Sequence, residues 1–171
     1  MADHEDTQHQ GSLTRLKIRN NISVHEMDKD DAKMLYQAYR LDKLPSGWSP
    51  KKGLEPFEYL ASLDEFIQSY YDYAWSVRDE DKTLGVTFGR EVAGMVFVGD
   101  VIWHAKASKR QKYESYAALI SSLDMVLMFT APLEYKNLFD KLINRKLVRR
   151  VGTVYDIGGI DNRTRVYQSR A

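Results

Sequence analysis

Apolar and polar positions alternate between Leu13 and Met27. Leu16 and Ile18, then Ile22 and Val24, share a face, which predicts a strand. Asp28 and Asp31 then stand where a helix can be capped, and Met34, Leu35 and Ala38 follow at helical spacing. The segment "LDKLPSGWSPKKGLEP" concentrates proline and glycine and predicts a loop. Pro56 suits a first helical position, and Leu60, Leu63, Phe66, Ile67 and Tyr70 recur at spacings of three and four. That pattern fits one helix, or two broken near Ser62. Leu84, Val86 and Phe88 alternate again, up to a turn expected at Gly89-Arg90. Val92 to Val98 would return, and after Gly99-Asp100 a third strand would run from Val101 to Lys106, completing an antiparallel meander.

Ser108 to Leu123 has Tyr116, Leu119, Ile120 and Leu123 on one helical face, and "MVLMFTA" (Met125 to Ala131) is continuously apolar. A run of that length and composition predicts a strand buried on both faces. Leu133 to Arg145 is again helical, with Leu138, Phe139, Leu142 and Ile143 inward, and two strands close the chain as a hairpin around Gly158 to Asn162. The order is strand, helix, helix, three strands, helix, buried strand, helix, two strands. It predicts a single α/β (α+β) domain over residues 13–171 with a mixed, largely antiparallel sheet and helices on both faces.

Composition narrows the function little. The 171 residues are 43% hydrophobic and 29% charged with a net charge of +1, so no polyanionic partner follows from the total. The absence of cysteine excludes disulfides, thiolate catalysis and cysteine-ligated metal. The histidines show no metal-ligand spacing, so no metal is expected. "MADHEDTQHQGS" is acidic and polar, unlike a signal peptide, and residues 1–12 are expected to form a flexible tail. No apolar run approaches the roughly 18 residues of a membrane span.

Two stretches carry a resemblance. "ISVHEMDKDDAKMLYQAYR" is similar to the opening strand and first helix of the GNAT N-acetyltransferase family, where an acidic pair starts the helix. "LFDKL" (Leu138 to Leu142), followed by "VRRVG" (Val148 to Gly152), is similar to the family's last helix, which reads close to L-Y-E-K-L-G-F before a V-G strand. Here four extra residues separate helix and strand. The element order matches as well, over roughly residues 14 to 170. The glycine-poor stretch "SKRQKYESYAALI" (Ser108 to Ile120) further resembles the GNAT-like internal virion proteins of short-tailed phages, in which a lysine- and arginine-rich turn replaces a glycine-rich one.

The resemblance implies three chemical requirements. A GNAT enzyme grips the coenzyme A pyrophosphate with Q/R-x-x-G-x-G/A at the start of its third helix, where glycine lets backbone N–H groups approach phosphate. In one frame that motif falls on Gln111, Glu114 and Tyr116, in the other on Arg110, Tyr113 and Ser115; neither has the first glycine. Lys109, Arg110 and Lys112 could bind phosphate by side-chain charge instead. The tyrosine that protonates the departing thiolate falls on Phe139, which has no proton to give, leaving Tyr135 one turn earlier as the stand-in acid. An asparagine that commonly precedes this helix falls on Pro132. For the base, His104 is the candidate, because histidine titrates near neutrality.

With two of three roles lacking the expected residue type, the leading expectation is a catalytically degenerate GNAT-like protein with no cofactor. It would serve as a component of a phage virion or another protein assembly, in the virion or the host cytoplasm. Its partners would be other protein subunits or copies of itself, met through Trp48 and the aromatics Tyr70, Tyr71 and Tyr73 of "YYDYAW". The alternative is an acetyl-CoA-dependent N-acyltransferase acting on a primary amine, with Lys109, Arg110, Gln111, Lys112 and Ser115 at the coenzyme and His104 and Tyr135 at the chemistry. A third reading has Lys106, Lys109, Arg110 and Lys112, with Arg145, Lys146, Arg149, Arg150, Arg163, Arg165 and Arg170, forming a phosphate-backbone face for nucleic acid.

Overall fold

A computed structural model describes residues 21–40, 52–99, 101–155 and 163–170. The tail 1–12, Leu16, Ile18, Trp48, Asp100 and the turn Gly158 to Asn162 lie outside them, so the expectations placed there have no structural counterpart.

The chain opens with β1 (Ile22–Glu26) and α1 (Lys29–Arg40). Asp28 caps α1: its Oδ1 accepts from the amides of Asp30 at 2.9 Å and Asp31 at 3.1 Å, while Asp31 Oδ2 accepts from the Asp28 amide at 2.9 Å. Then α2 (Pro56–Tyr70) runs without a break past Ser62, with Pro56 at its start and a reciprocal Glu55–Glu58 cap. The Tyr59 hydroxyl donates to the Leu35 carbonyl at 2.8 Å and ties the two helices together.

Four strands follow: β2 (Tyr73–Asp79), β3 (Lys82–Val92), β4 (Met95–Val98) and the short β5 (Ile102–Trp103). This corrects the expected meander in three respects. The aromatic run feeds a strand of its own, β2, which pairs with both β1 and β3. The turn is at Ala93-Gly94, both at positive φ (53° and 78°), as a two-residue hairpin turn requires. The third strand shrinks to Ile102–Trp103 on β3. Gly89 lies inside β3 rather than at a turn, for a steric reason: a Cβ there would stand 2.8 Å from both the Trp75 ring and Val96 Cγ1. The missing side chain is what lets the indole lie across the strand.

The remaining elements are α3 (Lys109–Ser122), β6 (Val126–Pro132), a 3-10 turn (Leu133–Tyr135), α4 (Lys136–Asn144), β7 (Val148–Tyr155) and β8 (Arg163–Ser169). The sheet order is β1-β2-β3-β4-β6-β8-β7, with β5 on β3, and the only parallel pair among the described residues is β4 with β6. On one face α1 and α2 cover Val86, Phe88 and Ile102. On the other, α3 and α4 pack Tyr116, Leu119, Phe139 and Leu142 against Val77, Val98, Leu127 and Phe129. As its sequence predicts, β6 buries consecutive residues, Leu127, Met128 and Phe129. No helix among the described residues is long and apolar enough to cross a membrane.

A buried ion pair joins α1 to the sheet. Asp31 is 0% exposed and accepts from Arg78 Nη2 at 2.9 Å and from the Thr83 hydroxyl, while Arg78 also reaches Asp28 at 2.8 Å. Burial alone would raise the Asp31 pKa; the bonds from Arg78, Thr83 and the Asp28 amide outweigh it and hold it at about 2. A pKa below the ordinary 3.8 means the charged form stabilises the fold above about pH 4, and that this contribution fades as pH falls toward 2.

Two stability predictions follow from these contacts. Asp31→Asn is expected to cost about 2–4 kcal/mol at pH 7, since it leaves the Arg78 charge poorly paired, and most of this difference should vanish near pH 2. Urea melts of both proteins across that range measure it, and a pH-independent difference would exclude the ion pair as the cause. Gly89→Ala is expected to lose roughly 1–3 kcal/mol by overpacking against Trp75 and Val96, read from the same melts.

Candidate functional site

The sheet has an opening at its centre. β4 and β6 pair from Met95–Val126 to Val98–Phe129 and then part. Beyond Val98 the chain stays with β3 through Ile102 and Trp103, while β6 continues along β8 to Pro132. The gap holds a cavity of about 170 Å³ lined by Val101, Tyr116, Thr130, Pro132, Glu134 and Tyr135. Glu134 and Tyr135 also border a groove of about 310 Å³ between α3 and α4, walled by Lys109, Lys112 and Tyr113 on one side and Leu138 and Lys141 on the other. Past Lys109, Tyr113 and Lys141 it widens to about 980 Å³ beside Glu114, Ser121, Asn144 and Arg145. Successive sections share wall residues, Glu134 and Tyr135 first and then Lys109, Tyr113 and Lys141, so they lie in series from the middle of the sheet to the surface and are described together as the cleft.

Cations outnumber carboxylates along it, with Glu134 the acidic residue at the gap. Lys109, Lys112, Lys141 and Arg145 have no carboxylate partner among the described residues, whereas Glu114 is paired with Arg110 at 2.9 Å. Lys112 Nζ sits 5.8 Å over the Trp103 ring and the Arg145 guanidinium 5.5 Å over Tyr113, contacts that hold both cations against the protein.

The first turn of α3 is closed upon itself. Ser108 Oγ accepts from the Gln111 amide at 3.1 Å, and Gln111 Oε1 accepts from the Ser108 amide at 2.9 Å. Gln111 Nε2 then donates to Asp79 at 3.1 Å. Ser115 is buried, its hydroxyl donating to the Gln111 carbonyl at 2.7 Å. Of the expected coenzyme residues, Lys109, Arg110 and Lys112 therefore sit on the cleft side or the helix surface, while Gln111 and Ser115 are engaged within the helix and with β2. Tyr116 faces the core. Tyr113 packs its ring against the core, and its buried hydroxyl has no hydrogen-bond partner among the described residues.

Phe139 is fully buried, stacked on Tyr167 at 4.2 Å and edge-on to Tyr116 at 5.1 Å. Tyr135 ends the 3-10 turn and borders both the gap and the groove. His104 lies elsewhere: its Nδ1 accepts from the Lys106 amide at 3.1 Å, and it lines a separate cavity with Asp30, Met34 and Lys82. The two candidate catalytic residues are thus not brought to one cavity, and Lys106 is separated from the cations of the cleft. Among the expected partner-contact aromatics, Tyr70 is 58% exposed. Tyr71 packs on Phe66 and Phe88, and Tyr73 stacks on Trp75 at 5.1 Å and donates to Glu91 at 3.2 Å. Sequence reasoning missed Glu134, Lys141 and Asn144 as cleft residues. The available signal was the spacing Asn137, Lys141, Asn144-Arg145, which puts polar residues in line along one side of α4.

No family model matches the sequence. No curated protein matches it either. Solved structures do resemble the fold. A variant of the spermidine N-acetyltransferase SpeG from Vibrio cholerae superposes with a TM-score of 0.57 at 11% identity, covering 86% of this chain and 92% of that one. A probable GNAT-family acetyltransferase from Chromobacterium violaceum gives 0.59 at 14%, covering 87% of each chain. A putative acetyltransferase from Salmonella typhimurium, solved with its cofactor acetyl-CoA, gives 0.56 at 14%, covering 88% and 94%. At such identities the likeness establishes the fold, and the fold is that of the GNAT acetyltransferases.

The packing around Phe139 generates a prediction. Phe139→Tyr would place a hydroxyl in an aromatic cluster, and the variant is expected to be less stable by about 1–3 kcal/mol in chemical denaturation. A neutral or stabilising result would mean that the ring edge reaches the cleft.

Proposed function

We propose that the protein binds acetyl-CoA in the cleft between α3 and α4 and transfers the acetyl group to a primary amine. The observation that carries this reading is the adjacency of the cation-lined groove to the gap in the sheet. A long, narrow anionic thioester needs a positively lined approach to a confined gap, and Lys109, Lys112 and Lys141 wall a groove that shares Glu134 and Tyr135 with the gap at Thr130. The set fits a diphosphate by charge, since Lys109, Lys112 and Lys141 outnumber Glu134 on the groove wall and the nearby Glu114 is paired with Arg110. The coenzyme supplies an acyl group activated as a thioester. The lysines would hold the phosphates in place of glycine-turn amides, and the parted strands would exclude water from the reacting end. Tyr135, at the mouth of the gap, is the group from which a departing thiolate would take its proton.

A second reading is coenzyme binding with weak or no transfer, favoured by the burial of Phe139 at the position of the family's acid. The role as a phage virion component rests on the likeness of "SKRQKYESYAALI" alone and draws nothing from the cleft. Nucleic-acid contact is the weaker reading, because Lys106 lines a cavity separate from the cleft lined by Lys109, Lys112 and Arg145 and the expected basic face is divided there.

Acetyl-CoA is expected to raise the melting temperature by roughly 5–10 °C at a hundred times its Kd, since ligand binding to the folded state alone contributes about 2.7 kcal/mol there. Lys109→Glu with Lys141→Glu should remove most of the shift. No shift at millimolar acetyl-CoA would refute the proposal; a shift without acetylation of any amine in a broad panel would select the second reading.

A further inference from the structure

The widest part of the cleft lies beyond the stretch a diphosphate needs, and Asn144 and Arg145 on its wall belong to the residues in which this chain departs from the family pattern. α4 does not stop after "LFDKL". Ile143 and Asn144 continue toward a C-terminus at Arg145, and the chain turns at Lys146 in the left-handed region (φ 60°). The Lys146 amide returns to the Ile143 carbonyl at 2.9 Å and the Leu147 amide to that of Leu142 at 3.0 Å, a closed helix terminus that fixes the added turn. The four residues between Leu142 and Leu147 thus place Asn144 and Arg145 on the groove of about 980 Å³.

The chemistry collected there differs from that at the start of α3. Tyr113, Ala117 and Leu147 offer apolar surface, Asn144 and Ser121 offer hydrogen-bonding side chains, and Lys141 and Arg145 offer positive charge with no carboxylate partner among the described residues. Apolar surface, an amide and cations together suit a purine nucleotide carrying an extra phosphate. Arg145 is held over the Tyr113 ring at 5.5 Å, so part of the cost of ordering its side chain is met before any ligand arrives. At the start of α3, by contrast, the Ser108 and Gln111 amides are occupied by each other's side chains and Arg110 is tied to Glu114.

We infer that the added turn of α4 shifts the main grip on the coenzyme from its pyrophosphate to its nucleotide end, with Arg145 and Lys141 recognising the ribose 3′-phosphate and Asn144 the adenine. This rests on the proposed binding of acetyl-CoA and adds to it a specificity: a 3′-phosphorylated adenine nucleotide is preferred over its dephosphorylated form.

Calorimetric titration and thermal shift with three probes test it: acetyl-CoA, acetyl-dephospho-CoA and adenosine 3′,5′-bisphosphate. The full coenzyme is expected to bind about tenfold or more tightly than the dephospho form, and the free bisphosphate is expected to bind measurably alone. Arg145→Ala should lower acetyl-CoA affinity about tenfold and leave the dephospho form nearly unchanged, so that the two converge; Arg145→Lys should restore part of the difference. The ligand-free melting temperature of each variant reports any loss of the Tyr113 contact separately. Equal affinity of the two coenzyme forms for the native protein, or an equal loss of both in Arg145→Ala, overturns the inference while leaving acetyl-CoA binding intact. Failure of every probe to bind overturns the binding reading itself.

Discussion

Tyr116, Phe129, Phe139 and Tyr167 come from α3, β6, α4 and β8, and their rings meet at centroid distances between 4.2 and 6.1 Å. Aromatic rings are large and rigid, so a cluster of four sets the spacing of the elements that carry them. It presses α3 and α4 onto the same patch of sheet and separates their outward faces by a fixed distance, and that separation is the cleft. The same packing accounts for the burial of Phe139. A ring needed to hold two helices at their spacing cannot also lend its edge to chemistry in the groove between them.

The cleft is electrostatically simple for a comparable reason. The start of α3 uses the Ser108 and Gln111 amides for its own cap, so an anion arriving there meets fewer aligned amides and more side-chain charge. Side-chain cations on flexible stems bind less selectively than a preorganised backbone cradle, but they can be spread along a channel. Lys109, Lys112, Lys141 and Arg145 are spread in this way, two on each helix.

Much of the architecture could be read from periodicity. The capped α1, the uninterrupted apolar run of β6 and the inward stripe of α4 are dictated by local pattern and survive packing unchanged. β2 and its hairpins could not be read so easily, because their turns hide. Glu80 and Ala93 adopt positive φ without being glycine or asparagine, so the strongest local signal for a hairpin is missing at both. Gly89, the residue that did look like a turn, is small to admit the Trp75 ring. The site was half legible. Lys109, Arg110 and Lys112 could be found at a helix start, and Tyr135 by its spacing from Phe139. Asn144 and Arg145 owe their place to one extra helical turn, and the separation of His104 from Tyr135 depends on where β5 turns away from β6.

The parallel contact between β4 and β6 is only four residue pairs long, and it joins two antiparallel halves, β1-β2-β3-β4 and β6-β8-β7. The β6–β8 ladder closes a loop of about the same length and the β1–β2 ladder a longer one, so the joint differs from them in its shortness and its slanted parallel hydrogen bonds, not in the length of chain it closes. Side chains of both halves, Val77, Val96 and Val98 with Leu127, Phe129 and Tyr167, meet in one core under α3 and α4, so packing carries most of the joint. Since the cleft begins where that joint ends, a ligand spanning α3 and α4 would act as a rivet between the two halves, just past their last shared hydrogen bonds.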